Sequence, residues 1–284
     1  MSRGRLIWRK SLNAVMLTLT GVAAFSVVSL LFLILGYFIW NGGRSLNWAF
    51  FTQLPKPVGE SGGGMANAIV GSLKLLLLAA LIGLPVGLIA GVYLAEFGGK
   101  AFSFVIRYTT DLLNGVPSIV IGIFAYSLAV LPVKHFSTLA GGFALGMMVV
   151  PITVRATEEF LRAVPGSLRE AAMALGASKW RTIATVVLPA ASGGIITGML
   201  LSLARVAGET APLLFTALGN QYWSPGWSQP TSALPMMIYQ YAISPYDDWH
   251  RQAWAAGLVL LSLVLLANLG CRLVLSGRGA TRSN

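Results

Sequence analysis

An all-α, polytopic integral membrane protein with six membrane-spanning helices is the fold class this sequence predicts, and three observations predict it. Apolar residues make up 56% of the chain and charged ones only 10%, far less charge than a soluble domain of this size keeps on its surface. The apolar residues gather into runs long enough to cross a bilayer as helices, separated by polar segments. The basic residues behind the +11 net charge flank those runs instead of forming one basic domain, which argues for membrane lipid and against nucleic acid as the surroundings. Cys271 is the single cysteine and excludes an internal disulfide. With only His135 and His250 beside it, no metal site or other cofactor is expected.

Residues 1–13 are basic (Arg3, Arg5, Arg9, Lys10), and residues 14–40 form the first apolar run. That run is too long for a signal-peptide core and lacks a small-residue cleavage site, so it reads as a first span. Residues 41–66 are rich in Gly and Pro and read as an outer loop, with Trp40, Trp48 and Phe50 as interfacial anchors. The second span, 67–94, carries Gly83, Gly87 and Gly91 four residues apart on one face, where another helix can approach closely. Pro85 predicts a kink within it, and Lys74 either snorkels to the outer interface or lines a pathway. Residues 96–107 read as a short inner loop.

The third span, 111–132, opens with Asp111 and is loosened at Gly115 and Pro117. After a turn at 133–138, the fourth span runs over 139–157 with Gly142 and Gly146 on one face, ending at Arg155, Glu158 and Glu159. Gly194, Gly198 and Ser202 line one face of the fifth span, 190–218. Aromatic residues and prolines fill 219–251, which reads as structure lying in the interface, and 253–275 form the sixth span. The chain thus divides into a tail, first span and loop at 1–65, a transmembrane body at 66–275, and a tail at 276–284. Lys100, Arg107, Arg155, Arg162, Arg169, Lys179, Arg181, Arg272, Arg278 and Arg282 join the N-terminal basic residues on one side, against Arg44, Lys56, Lys134 and Arg251 on the other. The positive-inside rule therefore places both termini in the cytoplasm.

The long polar segment at about 158–189 is the most specific feature. Strong helix formers over 168–175 predict a two-turn helix, Gly176 supplies a permissive turn, and 177–188 read as a second helix. Pro189 marks where the next span starts or bends. Glu170, Ala171, Ala172, Gly176, Val186, Leu188 and Pro189 fall at fixed spacings, and this pattern resembles the EAA loop of ABC-importer permeases with a MetI-like transmembrane fold. Val186 stands where that family most often has Ile. The resemblance implies that the loop docks on a nucleotide-binding ATPase subunit. An ordinary helix-turn-helix between two spans is the competing reading.

Arg205 and Glu209 lie within the fifth apolar run. An ionised side chain at mid-membrane costs about 2.5–3.5 kcal/mol on insertion scales, so it faces a cavity or a partner. Their spacing predicts one helix face. Two readings stay open: an ion pair that locks helices together, or an Arg205 fork that meets an anion while Glu209 orients it. Arg155 is a further anion candidate at the end of the fourth span. The run Ala204-Arg205-Val206-Ala207-Gly208-Glu209-Thr210-Ala211-Pro212-Leu213-Leu214 resembles the fifth-helix signature of PstA-type permeases, which import inorganic phosphate. Gly115-Val116-Pro117-Ser118 and Pro151-Ile152-Thr153-Val154-Arg155 are similar to that branch as well.

The resemblance implies a PstC-like second permease subunit, two copies of a cytoplasmic ATP-binding subunit, and a periplasmic or extracellular phosphate-binding protein. A permease for sulfate, molybdate or phosphonate, or the PstC-type partner itself, is the alternative. No GxxxxGK[ST] phosphate loop occurs in the chain, so ATP hydrolysis is expected on a partner and no catalytic residue here. An intramembrane enzyme finds no support, since there is no HExxH motif and no paired-aspartate motif within a span.

Overall fold

The computed structural model describes residues 3–60 and 62–280. Among these, five helices are long and apolar enough to cross a membrane, or six if one bent pair counts as a single span. Apart from an isolated bridge between Leu218 and Thr231, regular structure among the described residues is helical. The predicted all-α membrane fold is what the chain adopts.

Helix α1 (Arg3–Ser45) is longer than the first apolar run; at 1.5 Å per residue it reaches about 65 Å, roughly twice the hydrocarbon thickness. It stands apart from the body over most of its length and returns to it only near its C-terminal end. There Tyr37 and Phe38 pack edge-on against Trp254, with centroids 5.0 and 5.1 Å away. The following segment is less open than its glycines suggest. Asn47 caps a short helix, α2 (Trp48–Thr52), accepting from the Phe50 N–H at 2.8 Å, and Phe50 is buried.

Helix α3 (Ala66–Glu96) is the second span. Next comes α4 (Lys100–Gly115), where the sequence predicts a loop running into a span. After Val116 and Pro117 the chain turns by 108° into α5 (Ser118–Ala125), extended by a π turn over Tyr126–Val130. The predicted third span is therefore broken. Pro117 withholds an N–H and pushes Val116 out of the helical region, and Gly115 has no side chain to resist the bend. Helix α4 carries a polar stripe, Ser103, Arg107 and Asp111, on the side that meets its neighbour, while Phe104, Val105, Tyr108 and Leu112 are exposed.

Helix α6 (Thr138–Arg162) is the most buried span, capped by the Ser137 hydroxyl on the Ala140 N–H at 3.1 Å. Its packing on α3 bears out the glycine face. A Cβ placed on Gly83, Gly87 or Gly91 would lie 2.6, 2.5 and 2.5 Å from the Cβ atoms of Val149, Thr153 and Thr157. Gly142 and Gly146 do the same from the other side, against Leu78 and Ile82. In hydrocarbon, where apolar burial gives helices no reason to associate, such close backbone approach is what holds them. Gly87→Leu should accordingly destabilise the body by about 3 kcal/mol, whereas Gly21→Leu, at a site with open space around it, should be neutral. Thermal unfolding of the purified chain in detergent checks the contrast.

Beyond α6 come α7 (Gly166–Ala174) and α8 (Lys179–Thr182). A π turn over Ile183–Val187 joins α8 to α9 (Leu188–Ala207) without interruption. Pro189 thus marks a widened turn inside a continuous rod and not the start of a span, because its missing N–H leaves the Thr185 carbonyl without its helical donor. Ser202 on α9 reaches Thr153 of α6, hydroxyl to hydroxyl, at 3.4 Å. The rod ends at Gly208, and α10 (Ala211–Thr216) follows with Pro212 in its first turn. Residues 190–218 are therefore not one helix.

The segment 219–233 folds as a cap over the opposite end of the body. Thr138 and Leu139 N–H groups donate to Gln229 and Trp227 carbonyls at 2.9 and 3.0 Å, and Asn67 donates to the Asn220 carbonyl at 2.7 Å. Lys74 belongs to this cap: its ammonium donates to the Ser224 carbonyl at 2.7 Å and sits 5.6 Å from the Trp227 ring centre. Helix α11 (Leu234–Ala242) is buried against α12 (Asp247–Ala280), which contains the sixth span.

Candidate functional site

Two places gather the residues singled out by sequence. The first is the α7–α8 loop. Helix α7 ends in a paired cap, with Gly176 at φ +84°, its N–H on the Met173 carbonyl at 2.9 Å and the Ala177 N–H on the Ala172 carbonyl at 3.2 Å. Only a residue that accepts a left-handed conformation closes a helix this way. Ser178 then caps α8 by accepting from the Arg181 N–H at 3.4 Å. Glu170, Ala171 and Ala172 lie on α7, none of whose residues is buried. Val186 falls in the π turn, and Leu188 and Pro189 open α9. Leu175 and Trp180 are 90% and 67% exposed, so a ridge of apolar side chains stands out at the tip of an otherwise polar loop.

This loop is tied to the end of α3 through residues whose pairing spacing alone did not reveal. The Arg169 guanidinium donates to Glu96 Oε1 at 2.7 Å and to the Leu161 and Val164 carbonyls at 2.7 and 2.6 Å. Lys179 donates to the Glu96 carbonyl at 2.6 Å and lies 4.3 Å from the Phe97 ring centre; Phe97 in turn contacts Trp180 at 4.7 Å. Arg169 thus satisfies orphan carbonyls at the end of α6 while pairing a side chain of α3.

The second place is a cleft of about 260 Å³ at the break between α4 and α5. Asn114, Gly115, Val116, Pro117 and Ser118 form one wall, Met148 and Pro151 of α6 another, and Arg205 and Glu209 the third. Arg205 is exposed on the last turn of α9, and Glu209 lies past the Gly208 stop, so one helix face does not carry both. Among the described residues neither side chain has a hydrogen bond or ion pair, with each other or elsewhere. Arg155 lies outside this cleft: its Nε donates to Asp111 Oδ1 at 3.0 Å and its Nη2 contacts the same oxygen. Next to it the buried Glu158, 4% exposed, receives Arg107 of α4 at 2.7 Å and Arg162 at 2.9 Å. The charges at the end of α6 are thus spent on α4, while Arg205 is left free. Chemically the cleft offers one unpaired guanidinium, one acid, an amide and a hydroxyl. Among the described residues no group of three or more His, Cys, Asp or Glu side chains is placed to hold a metal ion.

The family model described as "Binding-protein-dependent transport system inner membrane component" matches residues 83–276. The chain belongs to this family. The permease is also 44% identical over 273 residues to the phosphate transport system permease protein PstA of Yersinia pestis, covering 96% of this chain and 92% of the relative. With the PstA protein of Haemophilus influenzae it shares 45% identity, covering 95% of each. Solved permeases share the fold. A methionine ABC transporter, MetNI, in an inward-facing form superposes with TM-score 0.55 at 20% identity, covering 73% of this chain and 91% of that one. A bacterial alginate ABC transporter does so at 0.62 and 15%, covering 93% and 94%. The permease is a multi-pass membrane protein, and both candidate places lie within the matched region.

Proposed function

We propose that this permease carries inorganic phosphate across the cytoplasmic membrane as one transmembrane subunit of an ATP-driven importer. The observation that carries the reading is the unpaired Arg205 in the cleft beside the α4–α5 break, and the similarity to PstA proteins supplies the anion's identity. An exposed guanidinium fork suits an oxyanion, and a break in membrane helices is where transporters of other folds place their substrate sites. ATP is hydrolysed on a separate subunit. A second permease of PstC type, two copies of that ATPase and an extracytoplasmic phosphate-binding protein complete the assembly.

The geometry gives the loop a route to the cleft. From Lys179 to Arg205 the chain is one rod of α8, π turn and α9, about 40 Å long at the helical rise. A partner that seizes the exposed tip of the loop moves the near end of this rod, and Arg205 rides on the far end. The Glu96 contacts make α3 move with it. ATP binding closes the ATPase pair, shifts the loop and opens the cleft to the outside; hydrolysis returns it inward.

Labelled-phosphate uptake in a strain lacking this chain tests the substrate, and loss of uptake restored by the chain is expected. Orientation is tested separately with an impermeant thiol reagent after Cys271 is replaced. A cysteine at Gln229 in the cap should react from outside, and one at Ala174 on α7 only after the membrane is opened. Reversed accessibility would put the loop on the wrong side for ATP.

A further inference from the structure

Glu209 is a paradox for an anion carrier. It lines the same cleft as Arg205, and the two form no ion pair, so it does not serve by holding the guanidinium in place. A negative side chain facing an anion weakens binding unless it meets a hydrogen on that anion. A carboxylate only accepts hydrogen bonds, whereas the amide of Asn114 and the hydroxyl of Ser118, which also line the cleft, can donate as well as accept. At neutral pH phosphate retains at least one P–OH hydrogen, and sulfate and molybdate carry none.

We propose that Glu209 is the specificity-determining residue of the cleft and that it reads this hydrogen. Arg205 binds anionic oxygens, and the Glu209 carboxylate accepts the hydrogen bond of the P–OH group. Fully deprotonated tetrahedral oxyanions present only acceptors to it and are repelled. Asn114 and Ser118 turn to suit either anion and do not discriminate. Arg205 attracts all of them, so the selection rests on the one acid. The proposal builds on the phosphate reading above and explains why an acid belongs beside the anion path: it provides rejection as well as attraction.

The test uses the assembled complex of this chain with its second permease and ATPase subunits in lipid nanodiscs. The phosphate-binding protein is left out so that its own selectivity does not mask the cleft. Displacement of radiolabelled phosphate is measured with unlabelled phosphate, sulfate and monofluorophosphate, a dianion of the same shape with fluorine in place of the hydroxyl. Wild type should bind both analogues roughly ten- to hundredfold more weakly than phosphate, as expected for one lost hydrogen bond to a charged group. In Glu209→Gln, of equal size, the gap should close because the amide can turn its donor toward the analogue. Glu209→Asp should keep the preference. Wild type binding monofluorophosphate as tightly as phosphate, or Glu209→Gln keeping the full gap, overturns the proposal alone. Failure of wild type to bind phosphate at all removes the phosphate reading and the proposal with it.

Discussion

Gly176→Pro is expected to reduce ATP-driven phosphate uptake by roughly a hundredfold while the chain still inserts and assembles. Proline locks φ near −65° and has no N–H, but Gly176 sits at φ +84° and donates to the Met173 carbonyl. The substitution removes that bond and forbids the conformation, a penalty of about 3 kcal/mol concentrated in the turn between α7 and α8. No membrane helix is touched, since an added Cβ at Gly176 meets nothing within 4 Å. The loss therefore falls on docking, and ATP hydrolysis should continue without transport. Gly176→Asn separates backbone from side chain: asparagine accepts left-handed backbone better than other residues with a Cβ, so this variant should retain most uptake. Uptake and ATPase rates measured together in proteoliposomes decide the matter. Normal coupling in Gly176→Pro would show that the turn has no part in transmission.

The loop was legible because its information is local. A two-turn helix, a permissive glycine and a second helix each announce themselves within a few residues, and the spacing from Glu170 to Pro189 held them in register, although the Ser178 cap was not read. The α3–α6 contact was legible for the same reason, since glycines four apart mark a face whatever it packs against. Hydropathy hid the two breaks. The run through Gly208 and Pro212 is as apolar as an intact span, and α9 ends where the backbone tightens at Gly208 ahead of Pro212, to which an apolarity count is blind. Gly115 and Pro117 signalled a loosening but not its 108° angle, which depends on how α4 lies along α6. Pairings across distance were the least readable. Arg169 finds Glu96 across 73 positions and Arg155 finds Asp111 across 44, and nothing in either neighbourhood names the partner. For the same reason the sequence could not separate Arg155, already paired, from Arg205, which is free.

That difference sets the expected result for Arg205→Gln: uptake should fall at least about a hundredfold, the cost of losing charge-assisted hydrogen bonds to an anion, with assembly unchanged. Because Arg205 makes no ion pair among the described residues, its removal strands no buried partner, and a purely structural loss is not expected. Arg155→Gln is the contrasting case. It frees Asp111 from an exposed pair at the α4–α6 contact and should lower thermal stability only slightly, by no more than about 1 kcal/mol. The double variant Arg205→Gln with Glu209→Gln discriminates further. A pair that merely balanced its own charges would regain uptake once both were neutral. A guanidinium needed by the anion leaves the double variant as inactive as the single one. We expect the second outcome, read as labelled-phosphate uptake at matched membrane levels of the complex; full recovery in the double variant would retire Arg205 as the anion's partner.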